Sequence, residues 1–312
     1  MACGEGRCKV DWNDPSKFSF SDLGTESRQS QFREKRRGED MQISSTRDQV
    51  IDYAPSRYNA SRLWFRGPRK ALRPPYVACL GGDGVYGRYV EHPWPALLED
   101  KTARTVVNLG VENAGIDAYL NDPGALVTAA NAQVVIIQVT SGHNTSNRFY
   151  SVHPRRNDRF LKASDSLKSL YPEMDFTEVH FTRHLLSRLQ AICPERFDMV
   201  AKEARTAWQA RLRNLISQMN GAVHLLWFAP VPLPEHTATA MHAEPLLTRE
   251  VIRPLAPHVR ALIEVVPEQW RCAEDALAVP SLELSRAEHL PGRAAHHDVA
   301  VAVARAIFPA LQ

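Results

Sequence analysis

Five short runs of apolar and β-branched residues, spaced by stretches with helical patterning, constrain the fold of this chain more than any other feature. They are Tyr76–Leu80, Thr105–Leu109, Gln133–Val139, Ala222–Phe228 and Ala261–Val266. None alternates polar with apolar residues, which is the pattern of strands covered on both faces. Helical stretches fall between and after them at Pro95–Asp100, Ile116–Leu120, Pro123–Ala130, Pro194–Met219, Thr248–His258 and Arg293–Phe308. Strand–helix alternation of this kind predicts an α/β fold: one three-layer α/β/α sandwich around a parallel five-stranded sheet.

Composition narrows the function classes. The chain holds 38 Lys and Arg against 35 Asp and Glu, a net charge of +3, so a basic nucleic-acid module is not expected. With 44% hydrophobic residues it is not disordered throughout. No run approaches the roughly 18 apolar residues of a membrane span. The segment MACGEGRCKVDWND lacks the apolar stretch of a secretory signal, so a cytoplasmic location is expected. Of the 5 cysteines, Cys79 and Cys193 are expected as buried thiols, and Cys3 and Cys8 lack the partners of a zinc site.

Residues 1–40 carry eight basic and eight acidic residues and few apolar ones, and are expected to be a disordered polar tail. Met41 opens the patterned region, 41–312. One hypothesis is that residues 1–40 are an extension upstream of the natural start, which N-terminal sequencing would test. Within the domain, about eighty residues separate the third and fourth strands, far beyond an ordinary connection. Residues 145–193 are therefore read as an insertion serving as a lid or binding loop.

The first strand runs directly into Gly81-Gly82-Asp83-Gly84-Val85-Tyr86-Gly87. Gly82, Gly84 and Gly87 have the G-x-G-x-x-G spacing of a dinucleotide loop. That motif needs a helix starting within it, whereas Pro93 and Pro95 delay the next helix, and the second strand ends in Asn108-Leu109-Gly110 without an acidic ribose partner. Nucleotide-dependent chemistry therefore ranks last. Turns also follow the second and third strands: Asn108-Leu109-Gly110-Val111-Glu112-Asn113-Ala114-Gly115 and Ser141-Gly142-His143-Asn144-Thr145.

Taken in order, these three turns resemble those of the SGNH (GDSL-type) hydrolase superfamily, as does the Pro93-Trp94-Pro95-Ala96-Leu97-Leu98 helix entry. The segments LWFRGPRK, YVACLGG and NRFYSVHPRRNDRF further resemble a bacterial family with an SGNH-like core and a degenerate motif set. The resemblance spans roughly residues 76–145 and part of the C-terminal helix, and implies a flavodoxin-like sheet. It also implies ester hydrolysis, with oxyanion donors at Gly84, Gly115 and Asn144, and Asp83 in a structural role. The nucleophile position, however, is Gly84. Ser141 and Thr145 are substitutes away from the elbow, and no D-x-x-H precedes the last helix. His296 is the first candidate base and His289 the second.

In the insertion, Arg148, Arg155, Arg156 and Arg159, with Tyr150, His153 and Asn157, form an expected anion-recognition cluster, and His143 stands beside Asn144. His180 and His184 have i,i+4 spacing on an expected helix, Phe176–Leu189, but no further ligand accompanies them, so no metal is expected. No cofactor is indicated. Two readings compete: an SGNH-like hydrolase acting on acyl or acetyl esters, or a catalytically degenerate relative that binds an anionic carbohydrate or small molecule.

Overall fold

The computed structural model describes residues 51–236, 246–271, 275 and 279–308; the expected tail, residues 1–40, lies outside them. Five strands form one parallel sheet: β1 (Val77–Gly81), β2 (Val106–Gly110), β3 (Val134–Gln138), β6 (Ala222–Phe228) and β7 (Ala261–Val265), in the order β2-β1-β3-β6-β7. Two further short strands, β4 (Tyr150–Val152) and β5 (Phe160–Ala163), pair as a separate antiparallel hairpin. The chain leaves β1 toward one edge, then recrosses to β3 on the other side. Connections from β1 and β3 depart in opposite directions, so a crevice opens where the strands end.

Period-2 alternation assigns the two faces. Ala78 and Leu80 of β1 and Val135 and Ile137 of β3 join one buried cluster; Val77, Cys79, Val134 and Ile136 join the other. The first is covered by α3 (Ile116–Leu120), α4 (Pro123–Ala130) and the C-terminal half of α7 (Pro194–Ser217). The second is covered by α2 (Trp94–Thr102) and α10 (Arg293–Ile307). Trp208 and Trp94 anchor the two layers, each fully buried. Burying an aromatic side chain of that size contributes on the order of 4–6 kcal/mol as an upper figure. Asp122 starts α4, accepting the Ala125 N–H at 2.8 Å ahead of Pro123 at the first helical position. Among the described residues no helix is long and apolar enough to cross a membrane.

Four local readings change. A one-turn helix, α1 (Asp83–Tyr86), begins inside the glycine turn, ahead of the prolines. The insertion is more than a loop. The β4–β5 hairpin, α5 (Asp165–Leu170), α6 (Thr182–Ile192) and the first turns of α7 enclose a core of their own around Tyr150, Tyr171, Leu185 and Phe197. The α6 helix starts six residues later than expected, so His180 precedes it and the i,i+4 pairing with His184 is lost; both side chains are exposed. Of the cysteines, Cys79 is buried, which pushes its thiol well up, but Cys193 is half-buried at the α6–α7 junction and donates to Glu195.

A candidate ligand pocket at the strand ends

The three turns converge on one open cavity of about 590 Å³ in the crevice. Its wall includes Gly82, Asp83 and Gly84 after β1, Asn113 after β2, Gln138, Ser141, His143 and Asn144 from β3 onward, and Trp227 and Phe228 of β6. The insertion contributes Asp158, Phe181 and Thr182, and the C-terminal region Trp270, Arg286 and His289.

At the first turn, Gln138 decides the geometry. Its Oε1 accepts the Gly82 N–H at 3.1 Å, which turns Nε2 toward Gly84. A Cβ on Gly84 would lie 2.7 Å from that Nε2 and 3.2 Å from Phe228 Cδ1. The side-chain space of a serine at this position is therefore filled by the Gln138 amide. A side chain at position 84 would require the end of the flexible Gln138 side chain to shift. Backbone strain is not the reason for this glycine, since among the glycines of these turns only Gly87 has a positive φ, 72°.

Asp83 ties the first turn to the second. Its Oδ2 accepts the Asn113 N–H at 3.0 Å, and Arg286 approaches its Oδ1 at 3.5 Å. Burial, reinforced by Glu112, pushes the carboxyl above its ordinary value against the pull of the Asn113 N–H and Arg286. Asp158 is likewise pushed up by burial, with Arg159, Arg156 and Arg286 acting the other way.

The second turn is already satisfied from within. Asn157, fully buried, accepts the N–H groups of Gly115 at 2.7 Å and Ala118 at 3.0 Å, and donates to the His153 carbonyl at 2.9 Å. The Gly115 N–H assigned to an oxyanion is thus occupied by a side chain of the insertion. In the third turn, Asn144 Oδ1 accepts the Thr182 hydroxyl at 2.7 Å, which fixes the amide on the pocket wall. His143 is buried there, its carbonyl accepting the Tyr150 hydroxyl at 2.9 Å. Ser141 reaches the pocket, whereas Thr145 is fully buried.

The two candidate bases part company. His296 is fully buried away from the cavity wall, its Nδ1 accepting the Trp94 N–H at 3.1 Å. Phe228, which does line the cavity, packs against the imidazole with ring centroids 5.7 Å apart. Burial, with Arg66 and Arg271 adding to it, pushes His296 down to about 3, so the ring is neutral and structural. His296, the first candidate base, is thus placed behind Phe228 and not on the cavity wall. His289 stands exposed on the rim.

The arginine cluster also divides. Arg148 lines neither this cavity nor the second one described next and pairs with Glu203 at 2.9 Å, and Tyr150 is core. Arg155, Arg156, Arg159 and His153 line a second cavity of about 1210 Å³ with Arg62, Arg88 and Arg286. Gln138, Phe228, Trp270 and Asp158 escaped sequence reasoning. The visible signal for Gln138 is one polar residue closing the apolar strand VVIIQ. Among the described residues, no group of three or more His, Cys, Asp or Glu is placed to hold a metal ion.

A family model described as "Domain of unknown function (DUF6473)" matches residues 41–311. The chain belongs to that family. No curated protein matches it. Among solved structures it is similar to a catalytic mutant of an acetylxylan esterase from Geobacillus stearothermophilus, at 12% identity and a TM-score of 0.38, over 77% of this chain and 97% of that one. It is also similar to a carbohydrate acetylesterase family member from Sinorhizobium meliloti, at 13% identity and a TM-score of 0.35, over 74% of this chain and 99% of that one.

Proposed function

We propose that the protein is an SGNH-like α/β domain whose pocket binds an anionic carbohydrate, with serine-ester chemistry replaced by recognition. The observation that carries this reading is the Gln138 amide filling the side-chain space of Gly84. Covalent catalysis needs an Oγ or equivalent to attack the carbonyl, and an amide nitrogen is a donor rather than a nucleophile. Gly115 has its N–H committed to Asn157, so one oxyanion donor is spent as well. What remains suits a sugar: the Gln138 and Asn144 amides beside the rings of Trp227, Phe228 and Trp270.

Calorimetric titration with acetylated and free oligosaccharides tests this reading. Binding without turnover is expected, and Gln138→Leu should weaken it by about tenfold through the lost donor. The second reading, hydrolysis of acyl or acetyl esters, is kept by one observation. The raised carboxyls of Asp83 and Asp158 line the same wall as Asn144, as water activation without a serine requires. Turnover of an acetyl ester or thioester that disappears in Asn144→Ala or His289→Ala, with folding intact, would establish that reading instead.

A further inference from the structure

We propose that the second cavity is a distinct anion subsite, and that the ligand is an oligosaccharide with several anionic substituents running from the pocket into it. The inference rests on the carbohydrate reading of the pocket and specifies the ligand further. The two cavities are contiguous, since Asn113, Asp158, Phe181 and Arg286 line both. The second is about twice as large, 1210 Å³ against 590 Å³, and holds six arginines with only Glu112 and Asp158 among its lining carboxylates.

Those arginines fall into two sets. Arg88 is held by Glu112 and by Glu283 at 2.7 Å, and Arg286 approaches Asp83 and Glu112 at 3.5 Å. Arg62, Arg155, Arg156 and Arg159 have no carboxylate within ion-pair reach among the described residues. Like charges gathered along one wall repel, and an anion relieves that repulsion with bidentate hydrogen bonds.

The backbone beneath this second set is held in place. His153 Nδ1 accepts the N–H groups of Arg155 at 3.3 Å and Arg156 at 3.1 Å, and Asn157 locks the loop to the second turn. The Arg62 N–H is anchored on Asp122 Oδ2 at 2.7 Å. The guanidinium groups are thus presented from fixed points, which lowers the ordering cost of binding.

A glycan fits better than a nucleic acid because the aromatic faces here are in use. Arg57 covers Trp64 at 3.8 Å and Arg159 covers Phe181 at 4.5 Å. Base stacking, which accompanies backbone contacts in single-strand recognition, would have to displace them.

The test titrates the full chain and an Arg155→Ala/Arg156→Ala double variant with four probes. These are a sulfated oligosaccharide, a uronate oligosaccharide, an uncharged one of equal length, and a single-stranded RNA oligonucleotide. Both altered side chains are exposed, so folding should hold, and circular dichroism checks it. One or both anionic sugars should bind at least about tenfold tighter than the uncharged one at low salt, and whichever binds tighter identifies the substituent. The advantage should shrink at high salt and vanish in the double variant, with uncharged-sugar binding unchanged. Equal binding of charged and uncharged sugars would overturn the subsite and the anionic character of the ligand, leaving carbohydrate binding in the pocket. Absence of all sugar binding would overturn both, and RNA binding tighter than either anionic sugar would replace the glycan.

Discussion

The pocket and the groove share a wall but are built from opposite materials. Around the pocket several polar groups are already engaged: Gln138 Oε1 with Gly82, Asn144 Oδ1 with Thr182, Asp83 with Asn113, and Gly115 behind the wall with Asn157. In the second cavity, the groove, four arginines have no carboxylate within ion-pair reach among the described residues, Asp158 acting on Arg156 and Arg159 only from farther off. The difference teaches where each half of recognition resides. The pocket supplies shape and fixed donors and gives up the freedom a nucleophile needs, while the groove supplies charge that has yet to be met.

The largest expected effect breaks the idea that His296 serves the pocket. An imidazole titrates near 6.5 when free, and here at about 3, so folding selects the neutral ring. Its contribution is whole above about pH 6.5 and is lost as pH falls toward about 3, because the unfolded chain protonates first. Over that window the loss amounts to roughly 4 kcal/mol. Urea unfolding at several pH values should show a steep slope that flattens in His296→Gln; parallel slopes would place the titration elsewhere.

Next comes the clamp between the second turn and the insertion. Asn157→Ala leaves the Gly115 and Ala118 N–H groups and the His153 carbonyl without their partner, costing about 2–4 kcal/mol in urea unfolding. A cost below about 1 kcal/mol would mean that water replaces the clamp.

A smaller effect concerns the pocket floor. Gly84→Ser should destabilise by about 1–3 kcal/mol through its clash with Gln138, and pairing it with Gln138→Ala should recover most of that. Simple additivity of the two changes would remove Gln138 as the reason for the glycine. Smallest of all, Arg156→Ala should leave stability within about 0.5 kcal/mol, as for an exposed arginine that holds no part of the fold. A larger loss would make the groove structural.

The sheet was legible because burial on both faces writes itself into the chain. β6 spans Ala222–Phe228 as expected, and each of the other four strands lies within one residue of its expected bounds. The three turns were legible for the same reason, each following a strand end. Side-chain placement was not. Patterning puts His296 near the start of α10 but does not say that Trp94 would claim its Nδ1 behind Phe228. Arg148 and Arg155 look alike in sequence, yet Glu203, fifty-five residues on, draws one of them away. Gln138 acquires its role only when β3 is laid beside β1, a pairing that spans 56 residues from Gly82. Local spacing carries none of these long-range contacts.

We propose that no serine nucleophile works in this pocket: position 84 is glycine, and the Gln138 amide lies in its side-chain space. Treating the full chain with a fluorophosphonate, which attaches to activated serines, and weighing the intact protein tests that most directly. An unchanged mass is expected in a preparation that still binds oligosaccharide. A stoichiometric adduct on Ser141, or on any other pocket residue, would contradict it.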